Sequence, residues 1–135
     1  MLLKFAPLAA AVVFGVYSPA YAQDGKNPPG VNPTHYQCYS VRAPKNSEAV
    51  KMLRDQFGVA GDVKLGSIAY LCAPTEKNGS GLKDAVTHYL CYEEERDNVL
   101  NKKVQVTNQL TKESGIELVV EAPKLLCVPS LKKLL

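Results

Sequence analysis

At 135 residues, of which 46% are hydrophobic and 21% charged, the chain is long enough for one ordinary domain and too apolar to remain unfolded. Its net charge of +3 is too small for the clustered basic face of a nucleic-acid or membrane-surface protein. Composition also excludes collagen-like, coiled-coil and multi-span membrane chains.

Residues 1–22 read as a secretory signal peptide. Lys4 is the only charge before Asp24, an apolar stretch runs from Phe5 to Tyr17, and Ala20-Tyr21-Ala22 gives a small-residue cleavage pattern before Gln23. The stretch falls short of the roughly 20 residues that span a bilayer, so no membrane span is expected once the peptide is removed. No cysteine follows the cut, which argues against a lipid anchor. The expected location is secreted or periplasmic. Residues 23–33, rich in proline and glycine, read as a flexible leader.

Residues 34–133 read as a single β domain made of two copies, 34–77 and 87–132. Thr34-His35-Tyr36-Gln37-Cys38-Tyr39 returns 53 positions later as Thr87-His88-Tyr89-Leu90-Cys91-Tyr92. At the same displacement Asp55-Gln56-Phe57 returns as Asn108-Gln109-Leu110. With two further residues inserted, Leu71-Cys72-Ala73-Pro74 returns as Leu126-Cys127-Val128-Pro129, and Lys77 as Lys132. All six aromatic residues beyond the signal peptide lie in or beside these blocks, which chance would scatter.

Each copy predicts three to four strands. Val63-Lys64-Leu65, Val104-Gln105-Val106-Thr107-Asn108 and Ile116-Glu117-Leu118 alternate apolar with polar, the pattern of a half-buried strand. Residues 47–57 carry a competing helical spacing at Val50, Leu53 and Phe57, but the matching part of the second copy is strand-like, so both are read as strand. Residues 78–84 form the polar, glycine-bearing linker between copies. Units of about 50 residues rarely sustain a core alone, so the expected fold is all-β, a small pseudo-twofold sandwich or barrel stapled by disulfides.

An even cysteine count in a small exported chain implies disulfides. The gaps of 34, 19 and 36 residues between Cys38, Cys72, Cys91 and Cys127 do not suit zinc. Four cysteines allow three pairings, and the duplication treats them alike. Cys38–Cys72 with Cys91–Cys127, which ties the first and last strands of each copy, is the favoured one.

These blocks resemble a family of exported bacterial domains of unknown function that carry two copies of the motif H-Y/L-x-C-Y … D/N-Q-F … L-C-x-P-x-x-K. The resemblance runs from His35 to Lys132, with Leu110 where phenylalanine is expected and Ala73 where valine is usual. It implies an exported architecture and no particular activity.

The candidate chemistry is thin. His35 and His88 hold the same repeat position and would be weak metal candidates if they met across the copies. The simpler reading is a backbone hydrogen bond at each strand start. On a strand His35 and Cys38 point to opposite faces, so they do not share an ion. No G-x-S-x-G, H-E-x-x-H or phosphate-loop motif occurs, and paired cysteines offer no thiolate, which argues against an enzyme. No cofactor is expected. Glu93-Glu94-Glu95-Arg96-Asp97 reads as a solvated turn. Asp55 and Asn108 read as turn formers or a polar binding rim, and Tyr39 and Tyr92 as possible binding residues. Lys77 and Lys132 are surface charges or anchors, and Asn78-Gly79-Ser80 fits a glycosylation sequon. The expected function is a non-catalytic binding or adhesion domain for an unknown protein or glycan at the cell envelope. A metal-binding or enzymatic protein centred on His35 and His88, and a structural or inhibitor-like scaffold, are the alternatives.

Overall fold

The computed structural model describes residues 29–45, 47–96, 99–111 and 114–135; the expected signal peptide, residues 1–22, and most of the leader lie outside them. Seven strands form: β1 His35–Ser40, β2 Ala49–Asp55, β3 Gly58–Thr75, β4 His88–Glu94, β5 Lys102–Val106, β6 Ile116–Val120 and β7 Leu125–Ser130. No helix occurs among the described residues. The helical spacing of residues 47–57 loses to a tight turn. Asp55 Oδ1 accepts hydrogen bonds from the Phe57 and Gly58 amides, at 2.8 and 3.2 Å, and Gly58 takes φ 153°. That turn folds β2 back on β3 as a hairpin, and the ladder then fixes the strand.

β3 is the common element. Its first half pairs with β2, from Ala49↔Lys64 to Asp55↔Gly58, and its second half pairs with β1 and β4 on either side. The main sheet runs β1-β3-β4-β7, with β2 on β3, while β5 and β6 form a separate two-stranded sheet. The copies share their register. His35↔Thr75, Tyr36↔Pro74, Cys38↔Cys72 and Tyr39↔Leu71 in the first recur as His88↔Ser130, Tyr89↔Pro129, Cys91↔Cys127 and Tyr92↔Leu126 in the second. The H-Y-x-C strand and then the L-C-x-P strand repeat from edge to edge, all antiparallel. The copies are thus related by a step across one sheet, in place of rotation about a twofold.

The third and fourth strands expected in each copy differ between copies. In the first they fuse into the 18 residues of β3, which absorbs register shifts near Ile68 against β4. In the second, Pro123 lies where a strand amide would otherwise donate, and the chain breaks between β6 and β7.

The buried apolar residues among those described are Val63, Leu65, Cys72 and Cys91, with His88 the one buried polar residue. Two of those four apolar residues are half-cystines. Cys38 is bonded to Cys72 and Cys91 to Cys127, with Cα–Cα distances of 3.9 and 4.0 Å across directly opposed strand positions. Each bridge closes a loop of 34 or 36 residues, which on the chain-entropy account stabilises the fold by roughly 3–4 kcal/mol.

Gly115 leads into β6 at φ 69°, and a Cβ built there would lie 2.7 Å from both the Val106 carbonyl oxygen and Thr107 Cγ2. Gly115→Ala should therefore lower stability by roughly 1–3 kcal/mol through the left-handed conformation alone, with the clash adding to it. Gly81 has φ 74° and nothing within 4 Å, so Gly81→Ala should cost less. Urea unfolding of both variants beside the parent checks the order, and equal losses would contradict the clash.

Candidate functional site

Directly opposed residues share a face, so the register sorts the main sheet into two. One face carries Tyr36, Tyr70, Cys72, Tyr89, Cys91 and Leu125; the other carries His35, Tyr39, Leu71, His88, Leu90 and Val128. His35 and His88 therefore share a face, as do the four half-cystines on the opposite side.

The two histidines differ in their partners. His88 is 6% exposed, and its Nδ1 lies 2.9 Å from the Val86 carbonyl oxygen, a backbone bond at the start of β4. His35 is half-buried, and its Nε2 lies 3.4 Å from Gln109 Nε2, which donates to it. Lys77 Nζ donates to Gln109 Oε1, so one amide side chain joins the start of β1 to the end of the first copy. Gln109 belongs to the repeated D/N-Q block, yet its reach across to the first copy leaves no local pattern in sequence. Among the described residues no group of three or more His, Cys, Asp or Glu stands together.

On the cystine face, the rings of Tyr36 and Tyr89 meet edge to face at 4.9 Å between centroids. Their strands flank β3 and so stand roughly 10 Å apart. The rings must therefore lean toward each other over β3, where Pro74 and Cys72 lie. Burial, then Tyr89, then Asp84 push the Tyr36 phenol above its ordinary range.

Beside Tyr70 and Leu125 on this face, Ala69, Glu93, Glu94, Glu95 and Lys124 complete the lining of an open groove of about 370 Å³. Tyr70 is 40% and Leu125 39% exposed. The solvated turn expected at residues 93–97, of which Asp97 lies outside the described residues, is corrected at its start: β4 runs through Glu94, whose side chain is 4% exposed and accepts from Arg96 Nε and Nη2 at 2.8 and 2.6 Å. That pairing neutralises Glu94, and Glu93 and Glu95 remain as exposed carboxylates.

The other sequence candidates fall elsewhere. Tyr39 is 52% exposed on the histidine face at the β1 edge, and Tyr92 is half-buried on the same face. The structure brings neither to the groove. Asp55 closes the β2–β3 turn and also lines a small cavity of about 120 Å³ with Leu53, Phe57, Arg96 and Pro123. Asn108 closes the matching turn, its Oδ1 accepting from the Leu110 amide at 2.7 Å. Asn78-Gly79-Ser80 is an exposed turn, and Lys132 is exposed while Lys77 is half-buried. Asp84 was not singled out in sequence. Its Oδ1 accepts from the Val86 and Thr87 amides, both at 2.9 Å, and so shapes the lead-in to β4. Asn32 does the same ahead of β1 through the Thr34 amide, at 2.9 Å.

The model of a family described as a repeat of unknown function, DUF7450, matches residues 35–134. No curated protein matches the chain. No solved structure matches it either.

Hydrogen bonds from Thr87 and Val86, aided by His88, hold the Asp84 carboxyl below its ordinary value of 3.8. A carboxyl with a depressed folded-state pKa stabilises the fold above the unfolded value and stops doing so as pH falls through the folded one. The melting temperature should therefore drop on acidification below about pH 4. Asp84→Asn keeps an acceptor oxygen for both amides and should flatten that acid limb. Thermal unfolding of both proteins from pH 2 to 6 measures it, and parallel curves would exclude Asp84 as a source.

Proposed function

The chain belongs to the DUF7450 family of repeats, and we propose that it is an exported, non-catalytic binding module whose groove beside Tyr70 takes a glycan or protein of the cell envelope. The carrying observation is a flat aromatic ring, 40% exposed, on a central strand of a cross-linked sheet. Exposed rings on scattered positions need no explanation, but this one is flanked by Leu125, by Lys124 and by the Glu93 and Glu95 carboxylates in one concave surface. Strand β3 is held on both sides, so the ring is ordered before any ligand arrives and little entropy is lost on binding.

The groove's chemistry suits a sugar best. The C–H face of a pyranose lies flat on a phenol ring, while carboxylates accept and an ammonium donates to the surrounding hydroxyls. A protein partner would instead present a basic or amide side chain to Glu93 and Glu95. The alternative reading centred on His35 and His88 has less to support it, because Gln109 and the Val86 carbonyl already occupy a nitrogen of each ring. The scaffold or inhibitor reading rests on the loop 78–84, exposed from Asn78 to Lys83, and on no chemistry beyond it.

The purified protein should bind a glycan array or an envelope fraction, and Tyr70→Ala should weaken that binding about tenfold or more while the melting temperature stays near that of the parent. Tyr39→Ala, on the opposite face, serves as the comparison and should leave binding unchanged. Loss of binding with Tyr39→Ala but not Tyr70→Ala would move the site to the histidine face. Absence of binding to glycans, proteins and envelope fractions alike would refute the module reading.

A further inference from the structure

The four sulfurs form one row across the sheet. Cys38 on β1 is bonded to Cys72 on β3, Cys91 on β4 is bonded to Cys127 on β7, and the inner pair, Cys72 Sγ and Cys91 Sγ, are 3.8 Å apart. The outer half-cystines lie on the edge strands and are exposed, whereas Cys72 and Cys91 are 5% and 1% exposed. Tyr36 and Tyr89 meet above this part of the sheet, so the nearest partner of a Cys72 sulfur released from its bond is Cys91.

We propose that this row is a thiol–disulfide exchange relay, with an external dithiol as its substrate, that takes up two electrons and leaves one thiol at each edge of the sheet. A thiolate of the dithiol attacks Cys38 Sγ, a mixed disulfide forms, and the electron pair of the broken bond goes to Cys72 Sγ. A thiolate at this buried position is poorly solvated and reacts rather than persists. It attacks Cys91 Sγ, a Cys72–Cys91 bond forms, and the pair of the second broken bond leaves on Cys127, where solvent supplies a proton. The dithiol's second sulfur then attacks its own mixed disulfide and releases Cys38, which is also protonated. The dithiol ends as a disulfide, and the protein ends with one cystine, Cys72–Cys91, between two edge thiols. Attack at Cys127 runs the same steps from the other side to the same product. Closing the inner bond requires the two sulfurs to approach from 3.8 Å to about 2.05 Å, a movement within the reach of side-chain rotation. What drives the exchange is the transfer of thiol character from buried positions to solvated ones.

Limiting dithiothreitol, acid quench and alkylation of the purified, oxidised protein test it directly. Trypsin separates the cysteines into peptides 27–42, 65–77, 84–96 and 125–132. The relay requires a two-thiol species in which 27–42 and 125–132 carry the alkyl group and 65–77 is linked to 84–96. A second route avoids reductant: Cys38→Ser leaves Cys72 without its partner and should give the same 65–77 to 84–96 link, with Cys127 alkylated, and Cys127→Ser should give the link with Cys38 alkylated. Partly reduced protein that always retains a native cystine, or reduction straight to four thiols with no inner link, would overturn the proposal whatever the variants do.

Discussion

Two covalent bonds across directly opposed strand positions set everything else in this molecule. A β-ladder that slips by one residue turns every side chain to the other face. With Cys38 bonded to Cys72 and Cys91 to Cys127, neither pair of strands can slip. The apolar core is too small to enforce register alone: Val63 and Leu65 are the buried aliphatic residues among those described, and the remaining buried apolar side chains are the inner half-cystines. The cross-links therefore act twice, as core and as register pins. They also decide which rings meet, since Tyr36 and Tyr89 reach one another only because both lie two residues before a cross-linked cysteine on the same face.

Duplication explains why the arrangement repeats, and small sequence differences explain where it does not. The first copy turns through Gln56 and Phe57 in a short hairpin, and its β3 continues unbroken to the cystine. The second copy inserts a longer connection between Val106 and Ile116, and Pro123 breaks the strand that follows. Its hairpin is consequently a separate sheet, with Ile116, Leu118 and Val119 left exposed. The longer connection also lets Gln109 reach His35 and Lys77 in the other copy, a contact with no counterpart at Gln56 among the described residues.

Much of the architecture was legible because it follows from pattern. The repeated cysteine blocks mark equivalent strands, and alternation at Val63–Leu65 and Ile116–Leu118 marks the parts of β3 and β6 that the structure contains. The favoured cysteine pairing joins residues that prove to be ladder partners. The relation between copies was less legible, because side-by-side and rotated halves bury the same residues and differ only in strand order. Local polarity also misleads at Glu94, where three successive glutamates suggest a solvated turn while a bond to Arg96 two residues on permits a nearly buried carboxylate. The groove beside Tyr70 was not visible at all: its walls come from β3, from β4 and from the residues leading into β7, which only the sheet order makes neighbours.

That groove and the sulfur row share a face and a framework. Tyr70, one wall, is the ladder partner of Cys91, and Leu125, the other, is two residues from Cys127 on β7. Strand β7 is an edge, held by its ladder with β4 and by the Cys91–Cys127 bond. Moving that bond inward, to Cys72–Cys91, removes the covalent tie on β7 while leaving β3 and β4 tied to each other. The wall bearing Tyr70 would keep its position and the wall bearing Leu125 would lose its anchor. A ligand seated against Tyr70 alone would be indifferent to that change, whereas one that spans both walls would be held only in the fully oxidised protein. If the proposed groove and the proposed exchange both hold, the four sulfurs that supplement a small apolar core would also place ligand binding under the control of the thiol environment.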